Sequence, residues 1–181
     1  NSKAGAFKFT VRAKEGVEGT VEHSSDFLLL VSQALPNINV SKTVEVYSDP
    51  IHGTNTAGSY SKAFPGAILT YTVSAKNTGN GTAQNNSIWI SDAIPDNTYM
   101  LVKNYDDVNG QGPIKDETAN TANGLSYTFG GLNNQTDDIE FSNTNGTNFN
   151  YSPVEDSEGL DKNITHFRIN PKGIFQAPAA G

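Results

Sequence analysis

The sequence predicts an all-β fold in which antiparallel strands form a β-sandwich. Apolar and polar residues alternate with a period of two in several segments, as in strands that bury one face. Asn, Thr, Ser and Gly are abundant, and residues that favour helices are sparse. Clusters of Gly, Asn and Pro separate the alternating segments, as turns between strands require. Together these observations predict short strands joined by polar loops.

Residues 1–36 are predicted to be an additional N-terminal strand region. The first strand is expected at 6–13, where apolar and polar residues alternate strictly. Two further short strands are expected at 20–23 and 27–31, the second of them a continuous apolar run. Pro36 then breaks the chain, so we expect a separate β-sandwich domain over 37–181.

The alternation in the second region predicts seven strands. They lie at 38–47, 67–76, 88–91, 98–103, 125–129, 139–141 and 164–169. The Asn145-Gly146 pair predicts a hairpin turn, because both residues accept a positive φ. The strands at 67–76 and 88–91, separated by Asn77-Thr78-Gly79-Asn80-Gly81, are expected to form a hairpin-like unit.

Lys42 falls on the apolar face of its predicted strand, in phase with Val40 and Val44. Lys is rarely buried without a partner. One explanation is an intramolecular isopeptide bond to an Asn, as some surface-exposed Ig-like domains have. The other is a Lys whose ammonium reaches solvent, or a bulge that changes the register.

Residues 65–95 contain the motifs Pro65-Gly66, Leu69-Thr70-Tyr71-Thr72-Val73, Asn77-Thr78-Gly79-Asn80-Gly81 and Ile90-Ser91-Asp92-Ala93-Ile94-Pro95. Together these motifs resemble the DUF11-type conserved repeat. Weaker matches before and after extend it over roughly residues 37–175. The family is an Ig-like β-sandwich of large bacterial and archaeal cell-surface proteins.

The resemblance implies a non-enzymatic module of a large secreted or surface-anchored repeat protein. Such a module would extend a stalk or present adhesive loops, and its partners would be neighbouring repeats and a cell-surface protein or glycan. The segment 5–13 resembles the strand that closes such a repeat, and the chain ends where that strand would begin. We therefore expect residues 5–13 to be the tail of a preceding repeat and to complete the sandwich, within one molecule or between two.

Charge and composition argue against several classes of partner. The net charge is −7, which disfavours nucleic acid and anionic membranes. Cys is absent, so disulfides and thiolate metal sites are excluded. No apolar run reaches the roughly 18 residues that a membrane helix needs.

The acidic loop at 155–161 is the best candidate for a metal site. Asp156, Glu158 and Asp161 surround Gly159, and carboxylates around a Gly turn are typical calcium ligands. The spacing does not match an EF-hand, and a solvated acidic loop is the alternative explanation. Calcium is the one cofactor that the sequence suggests. Further acids that could contribute are Asp106, Asp107, Asp137 and Asp138.

The sequence gives little support for catalysis. His23, His52 and His166 are scattered, and no motif of a hydrolase or metalloprotease accompanies them. Trp89 between two Ile residues predicts a core side chain. The alternative is a carbohydrate-binding module of an extracellular hydrolase, with an aromatic platform drawn from Trp89, Tyr99, Tyr105 and Tyr127.

Overall fold

The computed structural model shows an all-β chain of antiparallel sheets, and no α-helix occurs in the part that it describes. The chain divides into two compact units, residues 1–35 and 36–181. The described residues are 5–14 and 22–31, for which the description is confined to the backbone, and 33–56, 58, 60–104, 112–116 and 123–178. The described residues include no helix that is long and apolar enough to cross a membrane.

The first unit contains one long hairpin. Strand β1 spans Gly5–Lys14 and strand β2 spans Glu22–Val31. They pair antiparallel over their whole length. The strand predicted at 6–13 is therefore confirmed. One continuous strand, 22–31, stands where two short strands were expected at 20–23 and 27–31, and residues 20 and 21 lie outside the described residues. The completion of a sandwich by residues 5–13 stays a prediction.

The described residues of the second unit form ten strands. They are β3 (Ile38–Asp49), β4 (Gly53–Thr54), β5 (Ile68–Asn77), β6 (Ile90–Ala93), β7 (Met100–Leu101), β8 (Leu125–Ser126), β9 (Ile139–Ser142), β10 (Leu160–Asp161), β11 (His166–Ile169) and β12 (Lys172–Gly173). Two three-stranded sheets, in the orders β4-β3-β5 and β6-β11-β9, form the main layers. The pairs β7-β10 and β8-β12 form two further, two-stranded sheets. The fold is sandwich-like, as the alternation predicted.

The hairpin-like unit expected over residues 64–95 is wrong. Strand β5 pairs with β3, whereas β6 pairs with β11, so the two strands belong to different sheets. The polar segment between them is long enough to carry the chain from one sheet to the other. Asn77, the last residue of β5, is buried and holds the start of this crossing: its Oδ1 accepts Gly79 N at 3.0 Å and its Nδ2 donates to Gly81 O at 2.8 Å. A local turn was expected because Gly and Asn permit one, but pairing with the distant β11 prevails.

Strand β3 is less covered than its alternation predicts. Val40 and Val44 are expected to point inward, yet they are 63% and 53% exposed. The strand spans twelve residues, whereas each strand of the β6-β11-β9 sheet has four, so the second layer is too short to cover it. Strand β4 pairs with the last residues of β3, Ser48 and Asp49. Among the described residues of the second unit, the rest of that edge has no strand partner.

Lys42 joins the two main layers. Its Nζ contacts the carboxylate of Asp92 on β6 and lies 4.7 Å from the centre of the Tyr71 ring. The register of β3 against β5 is regular at Lys42, and the only shift falls between Val46 and Ser48. A bulge therefore does not explain the position of this Lys. The side chain stays partly exposed, so its ammonium is paired and still reaches solvent.

The hydrophobic core of the second unit lies on the β6-β11-β9 sheet. Its buried members are Val102, Ile139, Phe141 and Ile164. Partly buried side chains around them are Ile94, Met100, Ile114, Tyr127, Phe129, Leu132, Tyr151, Phe167 and Ile169. Most of the free energy of burial is therefore gained on this side of the sandwich.

We predict that Val102→Ala destabilises the protein and that Val40→Ala does not. Val102 is 2% exposed in the core, whereas Val40 is exposed on β3. Removing the two buried methyl groups should cost roughly 2–3 kcal/mol, from about 0.8 kcal/mol each plus a cavity term. The same change at Val40 should stay within about 0.5 kcal/mol. Urea unfolding measures both variants, and equal losses would contradict this location of the core.

Candidate functional site

The acidic loop predicted to bind calcium is held by its own hydrogen bonds. Asp156 Oδ1 accepts the backbone N–H groups of Glu158 at 2.9 Å and Leu160 at 3.0 Å. Lys162 Nζ lies 3.5 Å from the other carboxylate oxygen. The backbone hydrogen bonds from Leu160 and Glu158 lower the pKa of Asp156 against the opposing effect of burial, and Lys162 lowers it further. Asp156 therefore fixes the turn around Gly159.

Asp161 in the same loop is 2% exposed and accepts hydrogen bonds from three groups. Its Oδ2 receives the Tyr151 hydroxyl at 2.9 Å and Val154 N at 2.7 Å, and its Oδ1 receives Asn163 N at 2.8 Å. Burial, and next the hydrogen bond to Asp161, raise the pKa of Tyr151. The carboxylate ties the loop to the core.

The structure places the three predicted ligands in one loop but gives them different surroundings. Asp156 and Asp161 hydrogen-bond to backbone groups, and Glu158 is exposed. In the described part of the chain, no three His, Asp or Glu side chains are grouped so that they could hold a metal ion. Asp106 and Asp107 lie outside the described residues. The calcium site stays a prediction.

An Asp–His pair that the sequence did not indicate lies at the end of β3. Asp49 is buried and accepts the backbone N–H groups of Ile51 and His52 at 2.7 Å and of Lys62 at 2.6 Å. The His52 ring nitrogen Nδ1 lies 2.9 Å from Asp49 Oδ2, and the ring stacks on Phe64. The Asp-Pro-Ile-His order is a turn signal, and that signal could have indicated the pair.

These contacts determine the protonation of Asp49. Burial raises the pKa of its carboxyl, but the hydrogen bonds from His52, Lys62 and Ile51 outweigh burial and lower the pKa well below its usual range. The carboxylate is therefore ionised and holds the loop 50–62 closed. It serves the loop's backbone, and His52 covers it.

Trp89 is exposed and not in the core, so the expectation of a buried Trp is wrong. It is 52% exposed beside the outer face of the β6-β11-β9 sheet. The guanidinium of Arg168 lies between two rings, 4.7 Å from the centre of Trp89 and 4.3 Å from that of Phe149, and it also pairs with Glu140. The side chain of Trp89 therefore faces a cation and solvent. Tyr105, a member of the predicted aromatic platform, lies outside the described residues.

A cavity opens at one end of the β6-β11-β9 sheet. Its volume is about 330 Å³, near the lower limit for sites that bind small molecules. The lining comes from the loop after β6, the turn after β9 and the start of β11: Ala93, Ile94, Pro95, Asp96, Asn97, Thr98, Asn145, Ile164, Thr165 and His166.

The turn after β9 confirms the predicted Asn145-Gly146 turn. Both residues have a positive φ, of 53° and 72°. A side chain at Gly146 would begin 3.0 Å from the His166 ring, so glycine lets the imidazole pack on the turn. Ser142, which is fully buried, accepts the N–H groups of Thr144 and Gly146 at 3.1 and 3.2 Å. The buried Ser142 therefore holds the turn that forms one wall of the cavity.

Comparison with protein-family models, with curated proteins and with solved structures gives no match for this chain.

The calcium prediction is tested by thermal unfolding in saturating calcium and in chelator. A cation that binds only the folded chain raises Tm, and Glu158→Gln should abolish the rise because it removes the exposed ligand. Ser157→Ala, in the same loop, is the matched control and should keep it. Equal melting temperatures of the unmodified chain in both solutions would contradict a calcium site.

The lowered pKa of Asp49 predicts that the folded protein loses stability in acid. Its folded pKa lies below the ordinary value near 3.9, so its contribution is present above that pH and is lost as pH falls towards the folded pKa. Asp49→Asn should be less stable at neutral pH and should lose less between about pH 5 and pH 2. Urea unfolding across pH measures this. Asp96→Asn is the control, and an unchanged acid slope in Asp49→Asn would contradict the assignment.

Proposed function

We propose that this chain is a non-enzymatic structural and adhesive module of a large secreted or surface-anchored bacterial repeat protein. It extends a stalk or presents binding loops, and its location is extracellular. Its partners are neighbouring repeats of the same polypeptide and a cell-surface protein or glycan. The resemblance of residues 65–95 to the DUF11-type repeat supports the proposal.

One observation carries the proposal: buried polar side chains in the second unit serve the backbone of loops. Six polar side chains are buried there among the described residues, and each hydrogen-bonds loop backbone: Asp49, Asn77, Asp138, Ser142, Asp161 and Asn170. A buried polar group is costly unless it is paired, and paired groups fix the loop that they hold. Loops prepared in this way suit a rigid module that displays surface groups.

Two of these residues show how far apart the connected segments are. Asn77 Nδ2 donates to Gln176 O at 3.1 Å, 99 residues along the chain. Asn170 Nδ2 donates to Asn86 O at 3.1 Å and to Ile88 O at 2.6 Å, across more than 80 residues. These bonds tie the crossing between the two sheets to the last strands of the unit. Such cross-links resist separation of the ends, which a stalk requires.

A carbohydrate-binding module remains the second candidate, because Trp89 is exposed. An exposed aromatic ring can stack on a sugar. The contacts of Arg168 and Lys172 with the ring, at 4.7 and 6.0 Å from its centre, compete with such stacking. We therefore place the stalk and the adhesive loops first.

The stalk proposal predicts that tandem copies of the chain extend in a line. Proteins with one, two and three copies joined directly should show a maximum dimension, measured by small-angle X-ray scattering, that rises by a constant increment per copy. Copies joined by a long Gly/Ser linker are the control and should grow roughly as the square root of length. Directly joined copies that collapse into a compact particle would contradict the stalk.

A further inference from the structure

We propose that the cavity at the end of the β6-β11-β9 sheet binds one ring of a neutral sugar. The proposal deepens the adhesive part of the proposed function, on which it rests. The cavity combines a fixed backbone, exposed polar side chains and an apolar part of its lining.

The backbone around the cavity is fixed mainly through Thr165. Ile94 N donates to Thr165 O at 2.8 Å, and Asn145 N donates to Thr165 Oγ1 at 3.0 Å. Thr165 Oγ1 in turn donates to Ser142 O at 3.0 Å. The loop after β6 and the turn after β9 are therefore both hydrogen-bonded to Thr165, the residue before β11. A ligand would meet a prepared site and would not have to order these loops.

Three polar side chains of the cavity are exposed and make no bonds within the described part of the protein that a ligand would have to break. Within the described residues, no hydrogen bond or ion pair engages the side chains of Asp96, Asn97 or Asn145. His166 also lines the cavity, and its Nδ1 is buried without a hydrogen-bond partner in the described part of the chain. The exposed side chains of Asp96, Asn97 and Asn145 can therefore hydrogen-bond to a ligand directly.

The chemistry of these groups selects a neutral, hydroxyl-rich ligand. A carboxylate accepts hydrogen bonds from hydroxyl groups, and amides both donate and accept them. Asp96 and the net charge of −7 disfavour an anion. The apolar part of the lining, formed by Ile94 and Pro95 with the buried Ile164 beneath them, suits the C–H face of a sugar ring. The volume of about 330 Å³ limits the ligand to one ring or little more.

The test is saturation-transfer NMR of the whole chain with glucose, galactose, mannose and N-acetylglucosamine at millimolar concentration. Asn97→Gly and Asn145→Gly remove the amides and preserve the backbone, because both residues have a positive φ that glycine adopts freely. Asp96→Ala removes the carboxylate. We expect at least one of the sugars to bind. Each variant should lower the affinity for that sugar about tenfold, because it loses one or two hydrogen bonds.

Trp89→Ala is the control for a surface platform, and it should leave binding unchanged. Melting temperatures of all variants should match that of the unmodified chain. Absence of saturation transfer from all four sugars would overturn the proposal, and so would binding that Trp89→Ala abolishes while the cavity variants retain it. Neither result would bear on the stalk proposal, which the scattering of tandem copies tests without involving the cavity.

Discussion

The structure of the second unit depends on the pairing of buried polar side chains with loop backbone. Short strands leave many loop N–H and C=O groups that no neighbouring strand can satisfy. Asp49, Asp138 and Asp161 accept such N–H groups, and Asn77 and Asn170 donate to loop carbonyls. Without these side chains, the loops would lose their fixed paths and the two sheets their connection. The carboxylates of the three Asp residues therefore serve to hold loop backbone in place.

The same constraint makes the cavity stand out. Where a polar group in this unit is buried, its partner is usually a nearby loop. In the cavity, the backbone is paired in the same way, through Thr165 and Ser142, but the exposed side chains of Asp96, Asn97 and Asn145 make no hydrogen bond or ion pair within the described residues. A surface that is rigid in its backbone and open in its side chains is prepared for a ligand. For this reason we place adhesion at the sandwich end.

The two faces of the sandwich differ in how completely they are buried. The core lies on the β6-β11-β9 sheet, around Ile139 and Phe141. Strand β3 has exposed valines next to an edge that, among the described residues of this unit, pairs only with the short β4. Lys42 and Asp92 connect the two layers with a charged pair. An isolated exposed edge with apolar side chains favours association with another strand. The uneven burial agrees with a module that works in series.

The sequence by itself determined the fold class, most strands and the Asn145-Gly146 turn. These features depend on local properties: the period of two, β propensity and the tolerance of Asn and Gly for positive φ. Only the tertiary structure decided which strands pair, that Trp89 is exposed, that Asp49 is buried and which loops enclose the cavity. Sheet pairing and burial depend on contacts between residues far apart in the chain, and a local pattern carries no information on which distant strand satisfies its hydrogen bonds.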